Sequence, residues 1–324
     1  MSLRTLLNGA TLAAFAVAAT VAMGPTKAVA EYPNDKTVLA LVPFGAGGGT
    51  DRWARVMSSV GFDFFGRGMR VQNRGGAGGT IGWKHMLAKG ADGHTVILAS
   101  PTPVLAALAE KKPPFDPGKI KIVAYSSVMK TTLMSPKGKP YDTWKGFIAH
   151  LKKGGKKISI GATMTHLLGV VQALKALGVD KQVVLVNYSG TGKAMNDYIG
   201  KHIDMIALTT STAIGMTQKH NAIFNASDTD YPKKQKKKLG NVPNAKTLGL
   251  KPYNPPRFFA MHPDTPDAQV KVMSEKLGKL LKAKPVKKLI GKLGEIITYL
   301  PRDKASVAYN DVLKLARENI SLLK

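Results

Sequence analysis

The stretch VPFGAGGGTDRWARV, residues 42–56, runs a short apolar strand into Gly45, Gly47, Gly48 and Gly49, then into Thr50-Asp51 and a helical pattern. Trp53, Val56, Met57 and Val60 follow at i, i+3, i+4 and i+7, the spacing of one buried helix face. Thr50 or Asp51 is the expected N-cap. Glycine at such a strand–loop–helix junction permits positive φ and lets main-chain N–H groups approach a ligand with no Cβ in the way. The helix start adds unpaired donors and partial positive charge. The loop therefore reads as half of a backbone cradle for an anion. A second loop, NRGGAGGTIG at 73–82, repeats the design after the strand Val71–Asn73.

Further strand-length apolar runs lie at Val38–Val42, Thr95–Ala99, Ile158–Ile160, Val183–Val186 and Ile203–Leu208. Helical periods alternate with them. After Thr165, residues Leu167, Val171, Leu174 and Leu177 share a face, with Gly178 as C-cap. The alternation predicts parallel α/β sheets covered by helices on both faces. In open sheets of this kind, ligands bind outside the carboxyl ends of the strands, where both glycine loops fall. Val270, Met273, Leu277, Leu280 and Leu281 predict a longer helix, broken at Pro285, and Pro232–Lys238 reads as a surface loop.

The first thirty residues differ from the rest. Arg4 precedes an apolar stretch from Leu6 to Met23, and Ala28-Val29-Ala30 has the A-x-A form, so a secretory leader cleaved after Ala30 is expected. No later segment approaches membrane-spanning length. The expected location is the periplasm. With no cysteine, the chain has no disulfides, thiolate nucleophiles or thiolate metal sites. At 324 residues and 44% hydrophobic composition it has length for two domains and a core.

Charge opens a second reading. Of 48 basic and 20 acidic residues, only Arg4 and Lys27 precede the expected cleavage point, which leaves 46 against 20, or +26. A field of that sign speeds the encounter of anionic ligands and promotes binding to polyanions such as nucleic acid or anionic lipid. The lysine runs are scattered and lack interleaved aromatic residues, so they read as solvated faces rather than a stacking platform.

Enzyme motifs fail. SGTGKA (189–194) has Gly192-Lys193, but Ala194 stands where a P-loop needs a hydroxyl, and neither early loop satisfies G-x-G-x-x-G. There is no H-E-x-x-H, no G-x-S-x-G and no acid pair beside a histidine. No catalytic residue, cofactor or metal is expected. His166 is a lone histidine at a helix start, open to either a packing role or ligand contact. Trp53 and Trp83 read as packing residues.

YPNDKTVLALVPFGAGGGTDRWARV (32–56), VQNRGGAGGTIG (71–82) and DGHTVILAS (92–100) together resemble the N-terminal lobe of the Bug proteins, extracytoplasmic solute-binding subunits of tripartite tricarboxylate transporters. The resemblance continues weakly through IGATMTHLL, VNYSGTGKAMNDYIGKHIDM and VPNAKTLGL. Gln72, Gly75, His94, Asn187 and Ser189 depart from the usual pattern, and RFFAMHPDTPD (257–267) lacks its Trp-x-Gly. The resemblance implies a two-lobed Venus-flytrap α/β fold, each lobe a mixed sheet flanked by helices. Lobe 1 would be residues 31–131 and 255–324 and lobe 2 residues 132–254, with hinges near Thr131–Met134 and Arg257–Ala260. It implies a monomeric carrier of a small carboxylate that serves the large and small membrane subunits and binds no nucleic acid. Carried over by position, Phe44, Gly48, Gly49, Thr50 and Asp51 serve loop one, and Ala77, Gly78, Gly79 and Thr80 serve loop two. Ser100 and Thr102 reach the cleft after the third strand. Thr163, Thr165, His166, Tyr188, Gly190 and Thr191 are the distal contacts of the second lobe, with Thr209–Thr212 as a further candidate. Asp51 beside a carboxylate would repel it, so capping its own helix or meeting a polar ligand group are the alternatives.

Overall fold

The computed structural model describes residues 31–323; the expected leader lies outside the described residues. Ten strands form two sheets of five. The first is built from β1 (Val38–Val42), β2 (Met69–Asn73), β3 (Thr95–Ala99), β4 (Lys121–Val128) and β10 (Pro256–Met261), in the order β2-β1-β3-β10-β4. The second uses β5 (Thr131–Pro136), β6 (Ile158–Ala162), β7 (Val183–Asn187), β8 (Met205–Thr209) and β9 (His220–Asn225), in the order β7-β6-β8-β5-β9.

The sheets are mixed. β2, β1 and β3 run parallel, as do β7, β6 and β8, while β10 and β5 run antiparallel to both neighbours. Alternating helical and strand periods foretell the parallel strands, because each needs a helical crossover. The antiparallel members enter from the other lobe: the chain passes from β4 to β5 through Met129-Lys130 and returns to the first sheet at Pro256. Their reversed direction has a geometric consequence. The first residues of β10 and β5 lie beside the last residues of β3 and β8, with Phe258 opposite Ala99 and Thr131 opposite Thr209. Arg257 is thereby delivered to the end of the first sheet where the glycine loops emerge, and Thr131 to the matching end of the second.

Both faces of each sheet are covered. Val38, Ala40 and Val42 pack into one cluster with Trp53, Met57 and the helix Asp267–Lys282, whereas Leu41 joins Trp83 and Phe258 on the other face. In the second sheet Leu133, Met205 and Ala207 face one cluster, and Met134, Ile206 and Leu208 the other. This is the alternation a strand buried on two sides requires. The lobes share an apolar seam, since Leu105 from the helix Thr102–Ala109 and Ala316 from Arg302–Asn319 belong to the cluster built on Met164–Ala176.

Three local expectations need correction. The helix after loop one begins at Gly49 with Gly48 as N-cap, ahead of Thr50 and Asp51, because Asp51 turns its carboxylate back into the loop. Pro232–Lys238 is largely the helix Lys233–Leu239, entered from Pro232 and anchored by buried Leu239. β8 starts at Met205 rather than Ile203, because the Asp204 carboxylate accepts bonds from Ser159 and diverts the preceding chain. The lysines of 152–157, 233–238 and 287–288 are exposed, as solvated faces are.

Candidate functional site

Loop one is held from inside. The Asp51 carboxylate accepts from Gly47 N–H at 2.7 Å, Arg55 Nε at 2.9 Å and Asn73 Nδ2 at 3.0 Å, and Asn73 also donates to Phe44 O at 3.1 Å. Burial works against its charge, but the bonds from Arg55, Gly47 and Asn73 outweigh that cost and hold the carboxyl below its usual range. Asp51 thus staples loop, helix and β2 together, with its oxygens engaged by the protein itself.

Loop two winds through four consecutive positive φ values, Gly76 at 123°, Ala77 at 44°, Gly78 at 63° and Gly79 at 94°. It is wedged in place: a Cβ on Gly79 would stand 2.7 Å from Pro103 Cγ and 3.0 Å from Pro43 O, and one on Gly78 2.8 Å from Ala106 Cβ. The loops touch, since a Cβ on Gly75 would lie 3.1 Å from Gly45 N. Thr80 Oγ1 bonds back to Ala77 O at 2.9 Å.

The helices Gly49–Ser58 and Thr80–Ala88 leave these loops with no side-chain cap, and so do Met164–Ala176 and Thr191–Ile199 in the second lobe, N-capped by Thr163 and Gly190. Their first-turn N–H groups lack the partners of a helix interior, Thr165 N–H donating instead to Thr102 Oγ1 of the first lobe at 3.4 Å, and each lobe presents two such helix starts at the carboxyl edge of its sheet.

Ser100, Thr102, Thr163, Thr165 and His166 are buried where the lobes meet. Thr102 Oγ1 and Thr165 Oγ1 are 2.6 Å apart across the cleft, and His166 Nδ1 lies 2.8 Å from Thr131 Oγ1. Burial, seconded by the Arg257 charge, lowers the His166 pKa to about 4, so the imidazole is neutral at pH 7. Tyr188 and Thr191 are half-buried at the rim with Gly190. The Tyr188 hydroxyl donates to Asp197 at 2.6 Å, and burial with that carboxylate pushes the phenol to about 12.

Two charged groups beside these residues escaped the sequence reading. Arg257, fully buried at the start of β10, stacks 4.7 Å over the Trp53 ring. Its Nη1 donates to Ser127 Oγ at 2.9 Å and to Glu295 Oε2 at 2.6 Å, while buried Nε and Nη2 have no partner among the described residues. Glu295 Oε2 also accepts from Trp53 Nε1 at 2.6 Å, and Oε1 from Ser211 of the second lobe at 3.1 Å. The available signal for Arg257 was a charge inside the apolar run PRFFAM; GEII around Glu295 carries none. Trp53 packs as expected and in addition holds this pair. Beside it, Thr209 Oγ1 bonds to Ser211 Oγ at 3.3 Å and to Thr212 Oγ1 at 3.0 Å. A cavity of about 480 Å³ opens along Lys130, Thr210, Ser211, Asp228 and Glu295. Among the described residues no cluster of three or more His, Cys, Asp or Glu could hold a metal, and no helix is long and apolar enough to cross a membrane.

The family described as "Tripartite tricarboxylate transporter family receptor" matches residues 54–305. A UPF0065 protein from the TAR-I ttuE-ttuC' intergenic region of Agrobacterium vitis is 28% identical over 294 residues, 86% of this chain and 80% of its own length. The periplasmic binding protein BugD superposes with a TM-score of 0.75 at 24% identity, covering 88% of this chain and 97% of that one. MatC of Rhodopseudomonas palustris, solved with bound malate, gives 0.73 at 22% identity over 89% and 99% of the two chains. With its two-lobed α/β fold and a family match over most of its length, the chain belongs to the receptors of the tripartite tricarboxylate transporter family.

Proposed function

We propose that the protein is a periplasmic receptor that captures a small organic carboxylate between its lobes and delivers it to the large and small membrane subunits of its transporter. The observation that carries this reading is that both lobes bring helix starts without side-chain caps from their N-cap residues to the carboxyl edges of their sheets, one of them, at Gly49, lying against the fully buried Arg257. Backbone donors and one guanidinium make a cleft selective for an anion with directed lone pairs. The malate held by MatC supports a dicarboxylate of similar size. Residues 31–131 with 255–324, and 132–254, form the two halves of the trap. Loop one and loop two hold one carboxylate, and the Thr163–His166 and Tyr188–Thr191 segments meet the distal end.

Function then follows from linkage. The open protein admits the anion, and closure adds contacts from the second lobe. A solute shifts that balance only by the extra affinity it has for the closed state. The membrane subunits read closure, no bond is made or broken, and a monomer suffices.

Thermal unfolding of the mature chain with citrate, malate, succinate and aromatic acids tests the reading. One acid should raise Tm in a saturable manner, since a ligand of the native state stabilises by RT ln(1 + [L]/Kd). Gly78→Asp, which brings negative charge and a Cβ into loop two, should abolish the rise. A panel without effect, or an unchanged response in Gly78→Asp, overturns the assignment.

A further inference from the structure

A charged residue with no exposure demands an explanation. Arg257 is fully buried, and a guanidinium removed from water needs both a counter-charge and partners for its donors. Glu295 supplies the charge end-on, through Nη1 alone. Nε and Nη2 form the side-on edge of the guanidinium, whose two parallel N–H groups match the two oxygens of a carboxylate. That edge is unpartnered.

Its location is equally specific. A Cβ on Gly49 would stand 3.5 Å from Arg257 Nη2 and 3.9 Å from Glu295 Oε1. The pair therefore lies against the first turn of the uncapped helix that loop one feeds. A carboxylate already sits at this helix start, and it belongs to the protein. Its donors come from both lobes, Trp53 and Arg257 on one side and Ser211 on the other. Glu295 also borders the 480 Å³ cavity, whose lining includes neither Arg257 nor the glycine loops, so this carboxylate stands between the guanidinium and that open space.

We infer that Arg257 is the anchor for the solute's carboxylate, and that Glu295 is the chain's own carboxylate, holding that anchor until the solute replaces it. The inference rests on the receptor reading of the cleft. Replacement is favoured over joint occupancy because two carboxylates at one guanidinium repel. An incoming carboxylate on the side-on edge makes two bonds that Glu295 does not make. Glu295 lies in the irregular stretch between the helices Lys284–Lys292 and Arg302–Asn319, beside Gly294 (φ 73°) and exposed Ile296, so it can withdraw without moving a sheet or helix. The exchange conserves the charge around Arg257.

Chemical rescue tests this without knowledge of the natural solute. Glu295→Ala removes the internal carboxylate, and propionate is a free carboxylate of matching size. At constant ionic strength, Glu295→Ala should melt below wild type, and propionate should raise its Tm saturably over a millimolar range. Propionamide, of the same shape without charge, should not. The double variant Arg257→Gln/Glu295→Ala should show no saturable rise. Where Glu295→Ala is not recovered folded, Glu295→Gln carries the same comparison. Absence of rescue, or equal rescue by propionamide or in the double variant, overturns the inference. Rescue in a protein whose wild type binds no acid of the panel would refute the receptor reading while supporting Arg257 as a carboxylate anchor.

Discussion

Thr102 of the first lobe and Thr165 of the second share a hydroxyl–hydroxyl bond of 2.6 Å, and both side chains are buried. The contact joins the helix starts that follow β3 and β6. It ties the two halves of the cleft with neutral groups. Thr165→Val keeps the shape and removes the side-chain partner, leaving the Thr102 hydroxyl only the longer 3.4 Å bond from Thr165 N–H, at a cost of about 1 kcal/mol. The double variant Thr102→Val/Thr165→Val should cost less than the sum of the single changes, since no hydroxyl is then left alone. Urea unfolding of the four proteins in a double-mutant cycle reads the coupling, and strict additivity would show that the bond contributes nothing.

His166 should make the fold sensitive to acid. Its folded pKa is about 4 against 6.5 for the free group, because it is buried against Thr131 and near Arg257. Above pH 6.5 both states are neutral and there is no penalty. As pH falls from 6.5 towards 4 the unfolded chain binds a proton that the native one refuses, so stability drops by up to about 3 kcal/mol from this group. His166→Gln should flatten this part of the stability curve measured by denaturant unfolding at several pH values. An equally steep curve in the variant would place the acid sensitivity elsewhere.

Asp51 is expected to matter for loop order rather than for ligand charge. Asp51→Ala removes the acceptor of the Gly47 N–H, of Arg55 and of one Asn73 N–H, while Asn73 keeps its bond to Phe44 O, and should cost about 1–2 kcal/mol. Amide hydrogen exchange at Gly45–Gly48 should accelerate in the variant. Protection unchanged from wild type would deny the staple.

Two helical glycines should respond with opposite signs. Alanine normally favours a helix over glycine by up to about 1 kcal/mol, and Gly291→Ala, with nothing within 4 Å of the new Cβ, should show a gain of that kind. At Gly82 the Cβ would meet Arg74 O at 2.7 Å and Pro43 Cα at 2.8 Å, both backbone. Gly82→Ala should therefore destabilise by about 1–3 kcal/mol through overpacking. Calorimetric Tm values of the two variants check the pair.

Much of the architecture was legible because it is local. The apolar runs at Val38–Val42 and Thr95–Ala99 coincide with strands, and Trp53, Met57, Val270, Met273 and Leu277 are buried on the helix faces that their spacing marks. The glycine loops announce themselves in the same way, since positive φ at Gly47, Gly76, Gly78 and Gly79 is a property of single residues. The antiparallel strands were not legible in local periodicity, and the mixed sheets followed only from the family resemblance: β5 and β10 find their places through partners about seventy residues away or more, such as Thr209 for Thr131 and Ala99 for Phe258.

The same division runs through the cleft. Sequence alone determined which backbone segment runs from strand through glycines into helix, because strand, glycine and helical period are written contiguously from Val42 to Met57. Tertiary structure decided the charges. Trp53, Ser127, Ser211, Arg257 and Glu295 come from both lobes and five separate stretches of chain, and nothing in their local sequence foretells that they meet. Electrostatic partnership is set by distance in space and by exclusion of water, and both quantities exist only after the crossing strands have brought the two sheets together.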